Sequence, residues 1–374
     1  EGLSVPQGGP ILLAGGRFLV WTEDGTLLLW DGSVDKPAIP MVGHSDRVMG
    51  AEDLGDGRLL SWSRDQTLRL WDGDTGAALG VLEGHSGVVR GATLLSDGRI
   101  LSCGFDNTLR LWDGATGEAL ASMPAPVDDS LGVDLLPGDR ILLRLVDGSL
   151  RLWGGVHQDS LGVLEGHDQP LDGATTLSDG SILSWSRDGS LRRWQGETGA
   201  PLAHFAGHTG WIRGATELAD GRILSWSWDG TLRLWDRDSG ATVAVMEGHM
   251  STVQGAVELD VGRILSWGDT LRLWDTETGR ALGTLEGGMG AVRYSQEVGG
   301  GHILSVHSKA EKPGSFRLWD GRTGRVLDVQ TAHEGAIQGI KDLEDGRILT
   351  WSRDHTLRLA DGTTGRELAL MTGH

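Results

Sequence analysis

The stretch "GRILSWSWDGTLRLWD" at Gly221–Asp236 is spelled again as "GRLLSWSRDQTLRLWD" at Gly57–Asp72 and as "GRILTWSRDHTLRLAD" at Gly346–Asp361. The tryptophan of "LRLW" measures the repeat: Trp30, Trp71, Trp112, Trp153, Trp194 and Trp235 are each 41 residues apart. Trp274 follows after 39 residues and Trp319 after 45, and a ninth copy carries Ala360 after a further 41. Both odd steps arise in one connection. Unit seven reads "SWGDTLRLW" and unit eight "SVHSKAEKPGSFRLW", a deletion and an insertion confined to a loop that a packed scaffold tolerates. A repeated supersecondary unit of this length cannot bury its apolar faces alone and must stack on its neighbours.

Each unit divides into four strand-length runs. In the sixth these are "WIRGATEL", "RILSWS", "TLRLWD" and "ATVAVM", separated by "ADG", "WDG" and "RDSG". Gly and Asp punctuate the runs, and no segment sustains a helical period, so the chain is expected to be all-β with almost no helix. Four strands with hairpin turns form a small twisted sheet, designated strands a to d. Its middle strands are apolar on both faces, so each sheet needs a neighbour on either side.

A period of 41, "GH" ahead of the first strand and "WD" closing the third resemble the WD40 repeats of a β-propeller, over nearly the whole chain. The resemblance implies one closed domain, residues 1–374, of four-stranded antiparallel blades. Nine copies of strands b and c are legible, and 9 × 41 is 369 of the 374 residues. Nine blades are therefore expected, although propellers usually have four to eight. The alternative, an eight-bladed ring, would leave a spare unit with exposed faces and edges. The chain ends "RELALMTGH", a fourth strand and the "GH" of a next unit, so blade nine is expected to be complete from its own segment. Residues 1–10 are not expected to supply its outer strand. Blade one would then seal against blade nine by face packing alone, with His374 offered across the seam. With Val20 and Ala360 as departures on either side, this seam is expected to be the weakest junction.

In WD40 propellers a hydrogen-bonded tetrad links the "GH" His, a Ser or Thr of strand b, the Asp of the b–c turn and the Trp of strand c. By resemblance the tetrads are His44, Ser61, Asp65 and Trp71; His85, Ser102, Asp106 and Trp112; His167, Ser184, Asp188 and Trp194; and His208, Ser225, Asp229 and Trp235. Unit one has Val20 and unit four Leu143 at the Ser position, unit eight follows "LEGG", and unit nine has Ala360, so complete tetrads are not expected there. A second Trp follows the strand-b Ser position: Trp21, Trp62, Trp185, Trp226, Trp267 and Trp351. By alternation it lies on the opposite face from that Ser and packs on the adjacent blade.

The repetition also restricts function. A His–Ser–Asp set looks like a hydrolase triad, but one that recurs in most blades is architecture. The "DGxTG" turns resemble acidic metal loops, yet turn glycines explain them. No catalytic residue, cofactor or metal site is expected: there is no EF-hand, P-loop, zinc spacing or dinucleotide fingerprint. The formal charge of −19 opposes general binding of nucleic acid or anionic membranes. A single cysteine, Cys103, fits a reducing compartment and a cytoplasmic location. No apolar run is long enough to span a bilayer. There is no signal-peptide pattern, and a chain starting at Glu1 is expected to be an excised or processed piece.

Function is expected where the copies disagree. In WD40 propellers partners often contact the top face, built from the d–a and b–c loops. The positions are those three and five residues after the "GH" His and the residue before the turn Asp. Here they carry Arg47, Arg64, Arg90, Phe105, Arg187, Trp211, Arg213, Trp228, Arg293 and Arg353, with Gln254 and Gln338. Arg and Trp are enriched in binding hot spots. The resemblance thus implies a non-catalytic scaffold or sensor, a monomeric ring that binds a protein or peptide of acidic character. Near-identical blades resemble recently amplified bacterial arrays attached to larger signalling or defence-like proteins. Two alternatives remain: a propeller hydrolase or lyase using non-repeating channel residues such as Asp129, Asp172 and His307, and an engineered repeat protein, against which the irregular units four and eight argue.

Overall fold

The computed structural model describes residues 11–13, 16–22, 24–31, 37–124, 130–136, 140–145, 147–153, 160–259, 262–285, 292–298, 302–307, 315–321, 323, 325–331, 333–343, 346–361, 364 and 366–372. Asp129, His374 and residues 1–10 lie outside them. The described residues form nine four-stranded antiparallel sheets and contain no helix. Each sheet takes four consecutive strands, so each sequence unit is one blade. Blade 6 shows the pattern: strand a is Ile212–Glu217, b is Ile223–Ser227, c is Leu232–Trp235 and d is Thr242–Met246. Blade 9 is complete in the same way, its outer strand being Glu367–Thr372.

One apolar cluster fills each of the nine junctions. Between blades 5 and 6, Leu183, Leu191 and Phe205 of the first meet Ile212, Ile223 and Trp235 of the second. The ring closes because Phe18, Val20, Leu28 and Trp30 of blade 1 pack on Leu349, Leu357, Leu359 and Met371 of blade 9. The strand-c Trp faces the preceding blade, whereas the strand-b Trp faces the following one: Trp71 lies in the junction of blades 1 and 2, and Trp62 in that of blades 2 and 3. Alternation along the pleat accounts for this division.

In most blades an arginine at the start of strand b latches the neighbouring blade. Arg58 donates to the Gly114 carbonyl, Arg222 to that of Thr276 at 2.7 Å, and Arg17 to that of Gly73 at 2.6 Å. These carbonyls lie in the c–d turn of the next blade.

Candidate functional site

The tetrads are buried and chemically closed. In blade 6 Trp235 Nε1 donates to Ser225 Oγ at 2.8 Å, and Ser225 Oγ lies 2.8 Å from His208 Nε2. His208 Nδ1 lies 2.8 Å from Asp229 Oδ2. Since Ser225 accepts from Trp235, its own hydrogen goes to Nε2, and Nδ1–H donates to the carboxylate. Burial pushes the Asp229 carboxyl up, but hydrogen bonds from His208, Thr231 and the Thr209 amide outweigh it and hold it well below the usual carboxylate range. Blades 2, 3 and 5 repeat the arrangement with His44, His85 and His167. A serine already bonded to both His and a buried Trp has no approach for an acyl substrate.

Three other blades have such networks. Blade 7 has the full set His249, Ser266, Asp269 and Trp274. In blade 9, Thr350 replaces the serine, and His333 binds it at 2.8 Å while also meeting Asp354 and Thr356. Blade 8 lacks the "GH" His, yet His307 Nε2 lies 2.9 Å from Ser305 Oγ, and Trp319 donates to the same oxygen at 2.7 Å. His307 comes from strand b itself, two residues beyond the serine. It therefore stands in for the missing ring, while the tetrad stays incomplete as expected, because unit eight has no Asp between strands b and c. Asp172, the other described catalytic candidate, forms an ion pair with Arg187 at 3.0 Å. Among the described residues no cluster of His, Cys, Asp and Glu is arranged to hold a metal.

The variable positions meet at one end of the ring. The residue before the turn Asp donates its amide to the carbonyl three residues after the His: Arg64 to Arg47, Phe105 to Val88, Arg187 to Pro170, Trp228 to Trp211 and Arg353 to Ala336, all at 2.9–3.1 Å. Five residues after the His, strand a of most blades is bulged. In blade 6 Ile212 pairs with Ser227 and Gly214 with Trp226, leaving Arg213 as the extra residue. Arg90, Asp172, Arg293 and Gln338 hold the equivalent place. A bulge re-aims a side chain without disturbing the strand beyond it, so this ring can vary over a constant core. The bulge was not read from the sequence; in blades 2, 3, 5, 6 and 9 its signal is the Gly that follows a variable residue, and in blade 8 Tyr294 takes that place.

In blades 5 and 6 these residues form a layered stack. The Trp211 and Trp228 rings lie 4.4 Å apart at 24°, both exposed. The Arg187 guanidinium covers the other face of Trp211 at 4.7 Å, pinned by Asp172. Arg90 lies over Phe105 at 5.6 Å.

The family model "WD domain, G-beta repeat" matches residues 76–113 and 199–236. Each match runs from strand d of one blade through strand c of the next, so its frame is offset from the blade. Nine blades built on that unit close the ring. The chain is a WD40-repeat β-propeller. No curated protein matches it. Among solved structures this WD40 propeller is similar to the computationally designed Ika8 protein, over 85% of this chain and 97% of that one, with a TM-score of 0.61 and 22% identity, a likeness of fold alone. WD40 propellers are generally non-catalytic scaffolds that bind proteins, and this fold is consistent with that role. Among the described residues no helix is long and apolar enough to cross a membrane.

Proposed function

We propose that this propeller is a non-catalytic scaffold whose top face binds an acidic segment of a protein or peptide. The observation that carries this reading is a contrast between two sets of arginines. Those at the start of strand b are spent on the protein itself, as Arg58 is on Asp56 and Arg222 on Asp220. On the top face Arg47, Arg64, Arg213, Arg293 and Arg353 have no ion pair or side-chain hydrogen bond among the described residues. Surface arginines that merely answered neighbouring acids would be paired; in a chain of charge −19 these are not.

The test is capture of binding partners with the wild-type ring and with a Trp211→Ala/Trp228→Ala variant. The partner is expected to bind through an acidic stretch, to weaken with salt, and to lose about 2 kcal/mol or more in the variant. Unchanged affinity in a folded variant, or a basic contact region, would remove the proposal.

A further inference from the structure

The stack in blades 5 and 6 is open at one end. The b–c turn of each blade lies against the d–a loop of the next: a Cβ on Gly189 would sit 2.8 Å from the His208 carbonyl oxygen, and one on Gly230 3.1 Å from that of His249. Val253 N also donates to Ser227 O across the same boundary at 3.1 Å. Across the earlier boundary, Arg187 of blade 5 therefore meets Trp211 of blade 6. Across the later one, the position equivalent to Trp211 in blade 7 is Thr252, the neighbour of the Val253 that bonds Ser227. The residue equivalent to Trp228 in blade 7 is Gly268, at the shortened turn. Small residues thus stand where a further indole would extend the stack, and Trp228 keeps 48% of its surface exposed.

The geometry points to this slot, between Trp228 and Thr252, as the seat of one aromatic side chain from the partner, flanked by carboxylates that meet Arg213; this rests on the acidic-partner reading above. A flat ring continues the offset stacking already present between the two indoles. A cation would also be attracted to an indole face. However, the stack already carries Arg187 at its other end, and the unpaired Arg213 belongs to the same blade. Asp172 compensates Arg187, but the charge of Arg213 is unanswered and disfavours a further positive charge. The carboxylates on either side of the inserted ring supply the charge that Arg213 lacks.

The experiment uses the full chain labelled with 5-fluorotryptophan, with the fluorine resonances of the stack assigned from Trp211→Phe and Trp228→Phe. Three blocked tripeptides serve as probes: Glu-Tyr-Glu, Glu-Ala-Glu and Lys-Tyr-Lys. The Trp228 resonance is expected to move saturably with Glu-Tyr-Glu, with at least about tenfold weaker binding for Glu-Ala-Glu and no saturation with Lys-Tyr-Lys. Arg213→Glu should weaken the response. Thr252→Trp, a substitution in a surface loop, should abolish it by filling the slot while the ring stays folded. A Trp228 resonance that stays fixed, responds equally to Glu-Ala-Glu, prefers Lys-Tyr-Lys or survives Thr252→Trp would overturn the inference. Binding of acidic probes regardless of the aromatic residue would overturn it while leaving the acidic-partner reading intact. Absence of all acidic binding would remove both.

Discussion

The indole of Trp226 lies over the backbone of Gly214, its cross-strand partner in blade 6, so closely that a Cβ on residue 214 would sit 2.2 Å from Cζ2. Trp62 covers Gly50, Trp185 covers Gly173, Trp267 covers Gly255 and Trp351 covers Gly339 in the same manner. The strand-a glycine is thus the space that the second tryptophan occupies. Blade 3 has Cys103 instead of Trp, and there a Cβ on Gly91 would meet only Sγ at 3.4 Å. Gly214→Ala is therefore expected to destabilise the ring by about 1–3 kcal/mol through overpacking. Gly91→Ala is expected to be neutral or slightly stabilising, since it restricts the unfolded chain at no steric cost. Denaturant unfolding of the two variants side by side checks the difference, and equal losses would refute the pairing.

Blade 5 exchanges two residues at once. Ser181 stands where most blades start strand b with Arg, and Arg193 stands where they have a strand-c Leu. Arg193 restores the latch: it donates to Ser181 Oγ at 2.8 Å, to Asp238 at 2.8 Å in the c–d turn of blade 6, and to Asp179 at 2.5 Å. Burial pushes the Asp179 carboxyl up, but Ser181 and Arg193 outweigh it and hold it at about 2. Arg193→Leu alone should cost about 1–2 kcal/mol, discounted because Asp238 is exposed. Adding Ser181→Arg should recover most of that loss in a double-mutant cycle. Additive effects would show that the two positions are not exchanged partners.

The blade number, the strand order and four of the five complete tetrads were legible because each is written many times, and a pattern repeated every 41 residues fixes its own alignment. The substitute in blade 8 was not legible. His307 moves along strand b rather than occupying the "GH" position, and only the folded geometry shows that its ring reaches the same serine. The Gly–Trp pairing and the bulge were hidden for another reason: both depend on cross-strand register, which a linear motif does not carry. The top-face positions were legible as places of disagreement between copies. Their pairing state and the order of the Arg187, Trp211 and Trp228 stack required three dimensions.

His307→Ala should leave Ser305 without its ring partner and cost about 1–2 kcal/mol. The same substitution should leave binding at the Trp211–Trp228 face unchanged. Thermal unfolding and the binding measurement together check this. A large change in binding with little change in stability would return His307 to the functional residues.

The tetrads set a pH response. Burial pushes the His44 imidazole below its ordinary value of 6.5, against the upward pull of Asp65. His85, His249 and His333 are lowered for the same first reason. A histidine whose folded pKa is lowered binds fewer protons folded than unfolded, so stability rises with pH between the two values. Its contribution is fully present above about 6.5 and is lost as the pH falls toward the folded value. The lowered turn carboxylates add a further loss below the ordinary Asp value of 3.8. Unfolding measured across this range should show a progressive fall in stability starting near the imidazole value. Replacing His44 with a non-titrating Gln should make that fall shallower. A flat profile, or stability rising toward acid, would contradict the network.

Blade 9 should open first. Two features expected to weaken its seam with blade 1 are the absence of a shared sheet and the departures at Val20 and Ala360. The first holds for all nine junctions, since every sheet takes four consecutive strands, so it does not single out the seam. The structure divides the second: Val20 stays in the seam cluster, but Ala360 does not. The strand-c position faces the preceding blade, so Ala360 thins the junction with blade 8 rather than the seam. The seam itself holds Trp30, packed on Phe18 at 5.6 Å, with Trp351 against the same cluster. The junction of blades 8 and 9 has Val306 in place of the strand-b Trp and Ala360 in place of the strand-c Trp. Its core is Leu304, Val306, Phe316, Leu318, Ile337, Ile340 and Ile348, with no tryptophan. Phe316 for the usual Leu and Ile340 for the usual small residue restore part of the lost volume. Blade 9 is thus bounded on one side by face packing, as every blade is, and on the other by a junction whose described core holds no indole. Local opening follows the least-buried boundaries. Amide exchange should be fastest in Ile337–Leu343 and Arg347–Ser352 among the a and b strands of blades 5, 6, 7 and 9. Ala360→Trp combined with Ile340→Ala should slow it by returning blade 9 to the pattern of blade 6. Exchange in blade 9 as slow as in blade 6, or no response to the double substitution, would show that the ring does not open there.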